Sequence, residues 1–161
     1  MKKNIPSLAG LLILVLILAS CAKNTTTMGS FYSYEPQCMG TERDGSETLL
    51  VWGTGKNKSD AIEQAKKNAV EVVLFKGIRS NRGCSVRPLI TEVNVQERHS
   101  SYFNTFFRDG GKYKRYISMK DAKAGSERKE VNSQEVSYGI VVRVLRPKLH
   151  KQLVKDNILN Q

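Results

Sequence analysis

The sequence predicts an α+β fold, a small antiparallel sheet with about three helices arranged as a two-layer sandwich. Three patterns predict it. Residues Glu135–Leu145 alternate apolar and polar side chains, which is typical of a half-buried strand. A strand over Thr48–Trp52 contains the continuous apolar run Leu49–Trp52, which is bounded by Gly53, as in a central strand. From Ser59 or Asp60 onward, the apolar residues instead follow a helical period.

The first strand of the sheet is predicted just upstream of the apolar run. A shorter strand at Gln37–Thr41 is separated from Thr48–Trp52 by the turn-like residues Arg43–Ser46. Strands joined by so short a connection pair in antiparallel fashion.

The clearest helix begins after an N-cap at Ser59 or Asp60 and ends near Gly77. Its core face starts with small residues and ends with larger ones, namely Ala61, Ala65, Ala69, Val72, Val73 and Phe75. The small residues allow the first turns to lie close against a sheet. The opposite face is predicted to be solvated and carries Glu63, Lys66 and Lys67.

The remaining elements follow in the second half of the chain. A second helix is predicted over Val95–Arg108, an edge strand over Lys112–Met119, and a charged loop over residues 120–130. After the long strand, Pro147 is predicted as the first residue of a terminal helix. The apolar face of that helix comprises Leu149, Leu153, Val154 and Ile158.

The amino terminus has the layout of an export signal. Lys2 and Lys3 precede an apolar run, Leu11–Leu18, which is followed by small residues directly before Cys21. The apolar run is shorter than the ~20 residues that a spanning helix needs. The tetrapeptide Leu18–Cys21 resembles the bacterial lipobox. That resemblance implies cleavage before Cys21 and lipid attachment to it, the alternative being an ordinary cleaved signal with an incidental cysteine.

This reading divides the chain into three parts. Residues 1–20 are the signal peptide, residues 21–30 are the lipidated cysteine with a flexible polar tether, and residues 31–161 are a single α+β domain. By resemblance to lipoprotein sorting rules, Ala22 after Cys21 implies passage to the outer membrane. We therefore expect a lipid-anchored protein on the periplasmic face of that membrane.

The charge of the chain favours anionic partners. Residues 1–20 contain two lysines and no acid, so the mature chain keeps 24 basic and 15 acidic residues and a net charge of +9. Export separates it from nucleic acid, which leaves lipid phosphates, cell-wall polymers or acidic protein faces as partners. The alternative is a solvated surface charge without a specific anion.

Two cysteines remain beyond the lipidation residue. Cys38 and Cys84 either form a disulfide, as the oxidising envelope favours, or stay as two buried thiols. No metal site or cofactor is predicted, since His99 and His150 lie far from any Cys-x-x-Cys spacing.

Residues Gly53–Ser59 invite a nucleotide-binding interpretation that their spacing does not support. A P-loop needs Ser or Thr directly after the lysine, whereas Asn57 follows Lys56, and a dinucleotide fingerprint needs a third glycine where Lys58 stands. The two glycines are explained by a tight strand-to-helix turn. No catalytic motif is present either, and His99 with Glu97 nearby is read as a partly buried histidine.

The predicted second helix carries the largest group of aromatic residues in the domain. Core packing explains such a group, but bulky residues on more than one helix face also mark partner surfaces. With basic residues around them, the candidate surface comprises Tyr102, Phe103, Phe106, Phe107, Arg108 and Arg115.

The pattern Trp52–Gly55 followed by Ala61, Ala65 and Ala69 on one helix resembles small envelope lipoproteins related to the amino-terminal domain of flagellar assembly protein T. The chain is also similar in size, tethering and charge to accessory lipoproteins of type VI secretion systems. These resemblances imply a non-enzymatic docking or assembly component of an envelope machine. A binding module for an anionic envelope component is the second hypothesis, and a hydrolase without a recognisable motif is the third.

Overall fold

The computed structural model describes residues 35–79, 84–120, 128–132 and 135–159. The predicted signal peptide, residues 1–20, and the tether with Cys21, residues 21–30, lie outside the described residues. The strands of the described chain are β1 (Gln37–Thr41), β2 (Glu47–Gly55), β3 (Ile117–Ser118), β4 (Arg128–Asn132) and β5 (Glu135–Val144). The α-helices are α1 (Lys58–Glu71), α2 (Val95–Arg98), α3 (Ser100–Phe107) and α4 (Arg146–Lys155).

The strands form one antiparallel sheet. Its order is β1-β2-β5-β3, and β4 pairs with β5 as well. The β2–β5 ladder runs from Glu47 opposite Val144 to Gly55 opposite Val136. The α+β class with a small antiparallel sheet is therefore confirmed, while the division into two layers stays a prediction. The predicted pairing of the strands that flank residues Arg43–Ser46 is confirmed as well.

Helix α1 packs against β2 and β5 through its alanine face. Ala61, Ala65 and Ala69 are fully buried, as the sequence predicted. A side chain at Gly53 would overlap the backbone of Ala61 and Ala65, so the helix can approach only because this strand residue has none. Gly53 does not have a positive φ, so its role is close packing rather than the tight turn that was predicted.

The start of α1 differs from the predicted one, whereas its predicted end near Gly77 is confirmed. Asn57 is the N-cap, because its side chain accepts a hydrogen bond from the backbone N–H of Asp60 at 3.0 Å. The predicted caps, Ser59 and Asp60, lie inside the first turn. At the other end the helix continues as a π-helical turn, Val72–Lys76, and stops at Gly77, whose φ of 68° favours glycine.

The predicted second helix is two helices. His99, with φ −110° and ψ 31°, leaves the helical conformation and separates α2 from α3. Val95 on α2 and Phe103 on α3 are both buried, so each short helix places its own residue in the core.

The predicted edge strand over Lys112–Met119 is wrong for most of its length. Residues Lys112–Tyr116 form a 3-10 helix, and only Ile117–Ser118 form a strand. Tyr113 and Tyr116 are both buried, and a three-residue repeat places them on the same side, whereas a strand would place them on opposite sides. The predicted loop over residues 120–130 also ends early, because β4 begins at Arg128.

Helix α4 closes the described chain. It starts at Arg146, so Pro147 is its second residue rather than its first. The predicted core residues Leu149 and Leu153 are fully buried, and Ile158 is buried beyond the helix end. Within the described ranges, no helix has the length and apolar character needed to cross a membrane.

Candidate docking surface

The aromatic residues of the middle segment divide between core and surface. Phe103 and Phe106 are buried to 3% and 1% exposure, together with Tyr113 and Tyr116. The ring of Phe106 stacks on Tyr116 with centroids 5.8 Å apart. Phe103 and Phe106 therefore belong to the core and are withdrawn from the predicted partner surface, because a partner cannot reach rings that are packed on all sides.

The other residues of the predicted surface remain accessible. Tyr102 and Phe107 are half-buried, and Arg108 and Arg115 are exposed. The hydroxyl of Tyr102 donates a hydrogen bond to Asp156 Oδ2 at 2.8 Å. Burial and then this hydrogen bond raise the pKa of Tyr102, so its hydroxyl stays protonated and keeps donating.

The turn between α3 and the 3-10 helix, residues 107–112, is here named the α3 tip. Its base is held by Phe107, which stacks on Tyr113 at 6.0 Å, and by Asp109, which pairs with Lys67 of α1 at 2.7 Å. Gly111 N–H closes the turn by donating to the carbonyl of Arg108 at 2.7 Å. Arg108 therefore lies on a turn that these three contacts stabilise.

The 3-10 helix is fastened to α1 through one carboxylate. The hydroxyl of Tyr113 donates to Glu63 Oε1, Lys114 Nζ lies 2.7 Å from the same oxygen, and Lys66 Nζ lies 3.3 Å from Glu63 Oε2. Burial alone would raise the pKa of Glu63, but the bonds from Lys114 and Tyr113 lower it to about 2. The sequence predicts a solvated position for Glu63, and only its three-residue spacing from Lys66 indicates a partner.

A second accessible feature is a group of cations on α4 and the 3-10 helix. Lys148, Lys151 and Lys155 are exposed at helical spacing along α4. Lys112 and Arg115 are exposed on the 3-10 helix, and Lys148 Nζ lies 3.4 Å from the carbonyl oxygen of Arg115. These five residues, Lys112, Arg115, Lys148, Lys151 and Lys155, are named the basic strip.

One acid lies beside the basic strip. Burial works against its ionisation, but hydrogen bonds from Gln152 and Tyr102 lower the pKa of Asp156, and the charges of Lys112 and Lys155 lower it further. Asp156 is therefore ionised, and its carboxylate accepts hydrogen bonds from Gln152 and Tyr102. Among the described residues, none of the five cations forms a direct ion pair. The α4 lysines belong to no sequence motif, although their helical spacing is visible in the sequence.

The two remaining cysteines are joined. Cys38 on β1 and Cys84, which lies 13 positions beyond the end of α1, form a disulfide with Cα atoms 5.7 Å apart. Of the two alternatives that the sequence left open, the structure has the disulfide. The carboxylate of Glu47 lies within 4.8 Å of both sulfur atoms. This trio does not form a thiolate metal site while the sulfurs are bonded to each other.

The two histidines lie on different elements. His99 is half-buried at the break between α2 and α3, and His150 is exposed on α4. His150 lines an open depression of about 520 Å³ together with Arg146 and Pro88. His99 does not line this depression.

No protein-family profile matches the chain, and neither a curated protein nor a solved structure is significantly similar to it. The resemblances to the lipobox, to envelope lipoproteins related to flagellar assembly protein T and to type VI secretion lipoproteins therefore stay predictions.

Proposed function

We propose that this chain is a bacterial envelope lipoprotein, anchored through lipid on Cys21, that serves as a non-enzymatic docking or assembly component of a secretion or motility machine. Its place is the periplasmic face of the outer membrane. The motif Leu18–Cys21 supports the anchor, and the α3 tip supports the docking role.

The observation that carries the docking role is the way the α3 tip is held. Contacts to Tyr113 and Lys67 fix the turn before any partner arrives, while Arg108 stays exposed. A surface that is already ordered loses less conformational entropy on binding, which favours affinity. Arginine and phenylalanine are also among the residues that are enriched at protein interfaces.

Crosslinking followed by affinity capture from intact envelopes tests the docking role. The native chain is expected to retain a protein partner that Arg108→Glu loses, because the reversed charge opposes the same contact. Arg79→Glu is the matched control, since Arg79 is equally an exposed arginine outside the tip. Equal capture by both variants, or capture of no envelope protein by the native chain, contradicts the proposal.

The anchor has its own test. Cells fed a radioactive or alkyne-labelled palmitate are expected to label the native chain and not Cys21→Ser. Density separation of the membranes should place the labelled protein with the outer membrane. Label on the Cys21→Ser chain, or none on the native chain, refutes lipid attachment at this residue.

A second candidate function is binding of an anionic envelope component, such as cell-wall polymer or lipid phosphate. The basic strip favours it, because five exposed cations lie on two adjacent elements. Sedimentation with purified sacculi at low and high salt tests whether the chain binds cell-wall polymer. Binding through charge weakens steeply as salt rises, so salt-independent binding argues against it.

A further inference from the structure

The basic strip is placed on a rigid support. Its α4 residues stand on a helix whose other side buries Leu149 and Leu153, and its 3-10 residues flank the buried Tyr113 and Tyr116. The backbone positions that carry the five cations are therefore set by core packing.

We infer that the basic strip binds the anionic phospholipid headgroups of the membrane that carries the protein, and so holds the domain against the bilayer in one orientation. This inference rests on the lipid anchor proposed above. It adds a second contact between the same protein and the same membrane, made by Lys112, Arg115, Lys148, Lys151 and Lys155.

The length of chain between the anchor and the domain favours a membrane as the occupant. The described chain starts at Glu35, and a stretch from Cys21 to Glu35 spans at most about 50 Å when fully extended. A tethered domain meets its own bilayer at a high effective concentration, so contacts that would be weak between free molecules suffice. A soluble acidic partner has no such advantage.

The number and spacing of the cations fit headgroups better than a single anion. No residue of the strip lines either of the two depressions described in this part of the chain, and its charges are spread along a helix and a neighbouring turn. Clusters of four to eight basic residues near a bilayer are typical of proteins that bind anionic lipids. Each such residue raises the affinity for the membrane roughly fivefold. An acidic protein or cell-wall polymer is the rival occupant.

Vesicle sedimentation tests the inference with the chain from residue 21 onward carrying Cys21→Ser, which keeps every described residue and removes the lipid. It is mixed with vesicles of phosphatidylcholine alone or with about one third phosphatidylglycerol. We expect binding to the anionic vesicles only, weakening as sodium chloride rises, because screening shortens the range of the charges. Sodium phosphate at matched ionic strength should compete no better than chloride.

Two triple variants of equal net charge distinguish the contribution of the basic strip to vesicle binding from that of the overall net charge. Lys148→Glu with Lys151→Glu and Lys155→Glu should weaken binding on the order of 100-fold. The control variant, Arg43→Glu with Lys56→Glu and Arg79→Glu, reverses three exposed cations outside the strip. It should weaken vesicle binding only severalfold. Circular dichroism confirms that both variants are folded.

Several results overturn the inference. These are equal losses in the two triple variants, equal binding to neutral vesicles, stronger competition by phosphate than by chloride, or binding to sacculi without binding to vesicles. Because the assay uses unlipidated protein, its failure leaves the palmitate result intact. Conversely, absence of palmitate on the native chain refutes the anchor without altering the measured vesicle binding.

Discussion

The hydroxyl of Tyr113 donates a hydrogen bond to the carboxylate of Glu63, 50 residues earlier in the chain. Lys114, the next residue, forms an ion pair with the same carboxylate at 2.7 Å. Two consecutive residues of the 3-10 helix are thus bound to one residue of α1. Because the α3 tip and part of the basic strip lie on either side of Tyr113, this link sets the position of both surfaces relative to the sheet.

The Tyr113→Phe variant tests how much this link stabilises the fold. Removing the hydroxyl keeps the buried ring but deletes a hydrogen bond to a charged group, so we expect the free energy of unfolding to fall by about 1 to 3 kcal/mol. Urea denaturation measures it. Tyr116→Phe is the matched control, since Tyr116 is equally buried and its hydroxyl has no hydrogen bond to another described residue. Equal losses in both variants would contradict the role of the hydroxyl.

The same carboxylate predicts a dependence of stability on pH. Burial opposes ionisation of Glu63, but its bonds to Lys114 and Tyr113 hold its pKa at about 2 in the folded chain, below the ordinary value of 4.5. A depressed pKa stabilises the folded state above the unfolded-state pKa, and the stabilisation is lost as the pH falls. The window for this loss runs from 4.5 down to about 2.

Urea midpoints of the native chain and Glu63→Gln, measured from pH 7 down to pH 2, test this window. The variant cannot ionise, so its deficit should be largest near pH 7 and shrink through the window. A deficit that is constant with pH would show that the residue acts through packing and not through charge.

The disulfide is expected to contribute substantially to stability. Cys38 and Cys84 are separated by 46 positions, and closing a loop of that size restricts the unfolded chain. The double variant Cys38→Ser/Cys84→Ser should lose roughly 2 to 5 kcal/mol of unfolding free energy. Dithiothreitol should lower the stability of the native chain by a similar amount and leave the double variant unchanged. Sensitivity of the double variant to the reductant would contradict this explanation.

The elements that the sequence predicted well are those whose burial repeats regularly along the chain. The spacing of Leu149 and Leu153 in α4 and the apolar positions of β5 each indicate one buried face, and the structure has those faces. The other face of β5 was predicted to be exposed, but Ser137 and Gly139 on it are buried too, because β5 is an inner strand of the sheet. The alanine face of α1 is a third case, because small residues recur at helical spacing. In these segments local pattern and tertiary packing agree.

The predictions failed where a short segment could satisfy two patterns. Lys112–Tyr116 has apolar residues three apart, which suits a 3-10 helix, but five residues are too few to exclude alternation. The break at His99 is likewise invisible, since the apolar spacing continues across it.

The candidate site is formed by residues that are far apart in the sequence and meet only in the fold. Nothing near Glu63 in the sequence indicates Tyr113, and nothing near Arg115 indicates Lys148. A basic composition predicted an anionic partner, but only the fold shows which cations lie together.

The close packing of α1 on β2 gives the most direct test of the fold. Gly53→Ala adds a methyl group that would overlap the backbone of Ala61 and lie 2.8 Å from the Cα of Ala65. Since backbone cannot move aside as a flexible side chain does, we expect a loss of about 3 kcal/mol or more in the free energy of unfolding. Gly40→Ala is the control on the neighbouring strand, because an added methyl group there meets no atom within 4 Å. Its loss should stay below about 1 kcal/mol, and equal losses would show that the helix does not rest on Gly53.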